Sequence, residues 1–68
     1  MNIRLRIENN RLIEEETNNP PSAEGPYIAA TFLETPGASV VIRDIVATIQ
    51  IVRYLLSERG VAVNQREV

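Results

Sequence analysis

Three groups of residues in this 68-residue chain are of types that do chemistry: the run Glu14-Glu15-Glu16, the set Arg43, Asp44 and Arg53, and the phenols Tyr27 and Tyr54. What surrounds them limits that chemistry. The chain has no His and no Cys, and all seven of its basic residues are Arg. Nucleophilic catalysis needs a Ser, Thr or Cys beside a base. Schiff-base chemistry needs Lys, and arginine keeps its proton at ordinary pH. Metal sites built on thiolate and imidazole are excluded, and three consecutive glutamates lack the loop spacing of a calcium site. The glutamate run therefore reads as a solvated strand end opposing Arg4 and Arg6, and Arg43, Asp44 and Arg53 as a solvated face. No phosphate-loop, dinucleotide, zinc or EF-hand pattern occurs. The expectation is a non-enzymatic protein with no cofactor and no metal.

Nine acidic residues against seven basic ones leave a net charge of −2, which is no general footprint for nucleic acid. The nucleic-acid candidates are Arg4, Arg6 and Arg11, since two arginines on one strand face resemble the ribbons that enter a major groove. The glutamates beside them offset that charge. Ribbon-helix-helix repressors also place two helices after one strand, an order this sequence does not predict. A small DNA-binding regulator or antitoxin is thus an alternative, as is an accessory subunit of a larger enzyme or assembly.

The elements that would position these residues can be read in order. Ile3, Leu5 and Ile7 alternate with Arg4, Arg6 and Glu8, the period of a half-buried strand. Asn9-Asn10 suits a tight turn, so residues 1–16 are expected to form a β-hairpin. A two-residue turn would pair Leu5 with Glu14 and Ile3 with Glu16. Burying those carboxylates is costly, which favours a three-residue loop and turns Leu12 toward the outer face. Residues 17–26 hold three prolines and read as a connecting loop. Residues 27–33, apolar at both parities, predict a central strand.

Residues 39–59 predict one long helix capped by Ser39, with Val41, Ile42, Ile45, Ile49, Val52 and Leu56 on one stripe. Gly60 would end that helix, with a short strand at 61–63 and a polar tail at 64–68. The predicted class is α+β: a single small β-β-β-α-β domain, one long helix on one face of a three- to four-stranded sheet. The strands at 27–33 and 61–63 would be joined by a right-handed crossover.

A chain this short buries a modest share of its surface, and this one has no disulfide to help. Self-association, a dimer above all, and docking on a protein partner are the expected remedies. The candidate interface is Ile51, Leu55 and Tyr54 on the helix, with Phe32 and Leu12 on the uncovered sheet face. No apolar run is clean enough to span a bilayer and no leader is evident, so the expected location is the cytoplasm. The function expected is that of a small interaction or regulatory protein.

Overall fold

In the computed structural model, which describes residues 1–64, the expected hairpin is present. β1 (Asn2–Glu8) and β2 (Arg11–Thr17) pair antiparallel. Asn9 and Asn10 take φ of 52° and 60°, two consecutive left-handed residues of the kind a two-residue hairpin turn requires. Leu5 therefore faces Glu14 and Ile3 faces Glu16. That is the register the cost of burying carboxylate argued against. Two facts remove the cost: Glu14 meets an arginine from a distant helix, and Glu16 stays exposed. Leu12, opposite Ile7, comes onto the inner face and is buried.

β3 (Ser39–Arg43) joins the other side of β1, giving a three-stranded antiparallel sheet of order β2-β1-β3. The single helix expected over 39–59 is thus two elements. The β-branched run Val40-Val41-Ile42 pairs as strand, where such side chains fit well. The chain then stays extended at Ile45 and enters a helix only at Val46. The stripe read as one helix face is divided. Ile42 faces Ile3 on one side of the sheet and Val41 faces Arg4 on the other. Ile45 is exposed before the helix, and Ile49, Val52 and Leu56 are buried on the helix.

The segment expected as a central strand is also corrected. Residues Pro26–Phe32 form the helix α1, so the expected crossover between strands at 27–33 and 61–63 does not form. Gly25 precedes it at φ 85°, ψ 159°, a conformation open essentially to glycine alone. Pro26 then opens the helix with its φ already set. Ala29, Ala30 and Leu33 are buried, whereas Tyr27, Ile28 and Phe32 point outward. Apolar residues at both parities were here a helix with two apolar faces.

α2 (Val46–Glu58) buries Ile49, Val52, Arg53 and Leu56. It ends as expected at Gly60, with φ 85°. The Gly60 amide donates to Ser57 O and the Val61 amide to Leu56 O, each at 3.0 Å, the paired closure that a left-handed terminator permits. Beyond it, residues 61–63 do not make a full strand. Ala62 forms one parallel bridge to Arg11: Leu12 N donates to Ala62 O at 2.8 Å and Ala62 N to Asn10 O at 2.9 Å.

The Pro-rich segment has a structural job. Asn2 Nδ2 donates to Asn19 O at 2.8 Å, holding the segment at the end of β1 as it passes from β2 toward β3. It then satisfies the outer edge of β3, where Ser22 N donates to Val41 O and Val41 N donates to Ser22 Oγ. Both sheet edges thus carry backbone partners, which blunts edge-to-edge association.

The helices lie side by side, and one core joins Ile3, Leu5, Leu12, Val40 and Ile42 of the sheet to Ala29, Ala30, Ile49, Val52 and Leu56 of the helices. Arg4, Arg6 and Glu15 occupy the opposite face. The class is α+β as expected, with two helices instead of one. Of the tail expected at 64–68, all but Asn64 lies outside the described residues.

Candidate functional site

The acidic run is divided by the strand's own alternation. Glu15 projects to the outer face, opposite Arg4 and ion-paired with Arg6. Arg6 also meets Glu8 at 3.1 Å. Glu14 projects inward and accepts from Arg53 Nε and Nη2, each at 2.8 Å. Arg53 is only 5% exposed, so the solvated role expected for it is corrected. It lies four residues after Ile49 and three before Leu56, on the buried face of α2, with Glu14 on the strand beneath. Its bond to Glu14 holds the guanidinium above its ordinary pKa against the opposing effect of burial. Arg53 Nη1 is buried without a partner among the described residues.

This pair has the chemistry of a clamp. A bidentate arginine–carboxylate contact fixes geometry in two directions, and here it fastens α2 to β2. Neither residue lines the groove along α1 or the cleft beside the hairpin turn. Among the described residues no cluster of His, Cys, Asp and Glu has the makeup of a metal site.

The arginines considered for nucleic acid lie at one side of the hairpin. Arg6 is engaged by two carboxylates, Arg4 faces Glu15 across the strands, and Arg11 faces Glu8. Each thus sits next to an acidic residue, and the surface they share is of mixed sign.

The apolar candidates separate by burial. Leu12 is 1% exposed and belongs to the core, so it contributes to no surface. Leu55 is half-buried and packs against the core cluster. The reason is α1: Arg59, one turn after Leu55, reaches Ala30 O at 3.3 Å and Glu34 at 2.9 Å, so that flank of α2 faces the unanticipated helix. Ile51 remains at the surface, 37% exposed.

Phe32 and Tyr54 are well exposed, at 52% and 61%, and Tyr27 and Ile28 join them at 67% and 52%. The chain contains one Phe, two Tyr and no Trp. All its aromatic side chains are therefore outside an entirely aliphatic core. Tyr27, Ile28, Thr31, Phe32 and Thr35 line a groove of about 430 Å³ along α1. A larger cleft of about 580 Å³, with Ile7, Leu33 and Leu56 at its base and Asn9 and Arg59 at its rim, opens between the hairpin turn and the end of α2. Its arginine is already held by Glu34 and Ala30. From sequence, Tyr27 is named only as a phenol and is not placed beside Phe32. A strand turns residues 27 and 32 to opposite faces, whereas the helix exposes Tyr27, Ile28 and Phe32 together. Gly25-Pro26, a glycine before a proline at a helix start, was the available signal.

Tyr54 lies one turn before Glu58, whose hydrogen bond and negative charge raise the pKa of its phenol above the ordinary value. That disfavours Tyr54 as a proton-transfer group at neutral pH.

Among the described residues no helix is long and apolar enough to cross a membrane. Comparison with protein-family models, with curated proteins and with solved structures finds no match to this chain.

Proposed function

We propose that this is a non-enzymatic interaction protein that acts by protein–protein contact, with the exposed face of α1 as its contact surface. The observation that carries this reading is the placement of the aromatics: Tyr27 and Phe32 flank Ile28 on one short helix, outside the core. Scattered apolar residues at a surface mean little, but a contiguous apolar patch favours association. Aromatic side chains in particular anchor interfaces, because they bury much area with few rotatable bonds. The charged residues support the same reading, since Glu14, Glu15, Glu34, Arg6, Arg53 and Arg59 are all engaged in ion pairs within the chain.

The test is a photo-crosslinking amino acid placed at Tyr27 and, as a control, at Glu16 on the exposed end of β2. In the source cell the Tyr27 position should give adducts of discrete mass that disappear when Phe32→Glu is added. Equal crosslinking from both positions, or none from Tyr27, would overturn the reading.

A further inference from the structure

We propose that the occupant of the α1 face is a second copy of this chain, the two α1 helices meeting about a two-fold axis. The inference rests on the reading of that face as the contact surface and goes on to name the partner.

Charge is the first argument. The groove is lined by Tyr27, Ile28, Thr31, Phe32 and Thr35, none of which is charged at neutral pH, so two copies can approach there without opposing like charges. At the sheet edges self-pairing is obstructed. The outer edge of β3 is occupied by Ser22 and that of β2 by Ala62, and a second copy laid along β2 would bring two glutamate runs together.

Shape is the second. In a two-fold interface one patch must supply both projection and recess. Here the half-exposed Phe32 ring stands at the wall of a groove of about 430 Å³, so each copy can lay its ring in the other's groove.

Area is the third. Two aromatic side chains of roughly 150–250 Å² each, more than half exposed, together with Ile28, present about 300–400 Å² of apolar surface. A standard interface takes about 800 Å² from each partner, an apolar centre within a polar rim. The α1 face supplies that centre and Thr31 and Thr35 begin the rim. That centre is no more than half of a standard interface, which predicts a weak, reversible dimer.

The experiment is sedimentation velocity and native mass measurement of the full chain from low to high micromolar concentration, with circular dichroism to verify folding. The wild type should move from the 7.6 kDa monomer to twice that mass as concentration rises. Thr31→Arg and Thr31→Glu, at an exposed position beside the groove, should each be folded monomers and should form a mixed dimer when combined. A wild type that stays monomeric throughout would overturn the pairing, as would a dimer that survives both substitutions. Failure of the contact surface itself is distinct, because it would leave Tyr27 without crosslinked adducts of any kind.

Discussion

Arg53 and Glu14 stand 39 residues apart in sequence and close two hydrogen bonds of 2.8 Å on each other beneath α2. Removing one partner strands the other in a dry setting, which costs about 3–5 kcal/mol. Arg53→Ala or Glu14→Ala should therefore lower the melting temperature by about 12–40 °C in a domain of this size. The joint replacement Glu14→Leu with Arg53→Met should recover most of that loss, since it also removes the unpartnered Nη1. A double-mutant cycle by thermal melts checks both outcomes, and additive losses would show that the clamp carries no coupling.

Gly25 offers a backbone test without a packing change. A Cβ added there meets no atom within 4 Å, so the effect of Gly25→Ala comes from its dihedral angles alone. Strain of that type costs about 1–3 kcal/mol. Urea denaturation should show a loss in this range, and a neutral result would mean that α1 can start from a different entry.

Ile51 and Leu55 should respond differently to the same change. Leu55→Glu places a carboxylate where the side chain packs on the core and should destabilise by about 1–3 kcal/mol. Ile51→Glu, at a partly exposed site, should stay within about 1 kcal/mol of the wild type. Equal losses in urea melts would show that the two positions form one buried patch.

The two phenols can be separated by titration. With Tyr27→Phe in place, ultraviolet absorbance follows Tyr54 alone. Ionising that phenol puts a negative charge beside Glu58 and gives up its hydrogen bond, which is why its pKa is raised. Glu58→Gln removes the charge and should move the titration to lower pH. An unchanged curve would exclude Glu58 as the cause.

Much of the hairpin was legible because its signals are local. The alternation of Ile3, Leu5 and Ile7 needs no other part of the chain to define a face, and Gly60 terminates a helix wherever that helix begins. The candidate surface was half legible. Phe32, Tyr54 and Ile51 are exposed, as the sequence reading expects. A strand over 27–33, however, does not bring Tyr27 and Ile28 beside Phe32, and Leu12 is buried by the register it was expected not to adopt. Apolar runs of seven residues suit a strand and a short helix alike, and periodicity cannot choose between them.

By itself the sequence determined the β1–β2 pairing and the end of α2, because each depends on residue type or on neighbours a few positions away. Tertiary structure decided the hairpin register, the helical state of residues 26–32 and the division of residues 39–58 into strand and helix. Local preferences differ by only tenths of a kcal/mol per residue, whereas a buried carboxylate without a partner costs several. The guanidinium that makes Glu14 acceptable at the Leu5 position comes from α2, and only the folded chain brings it there.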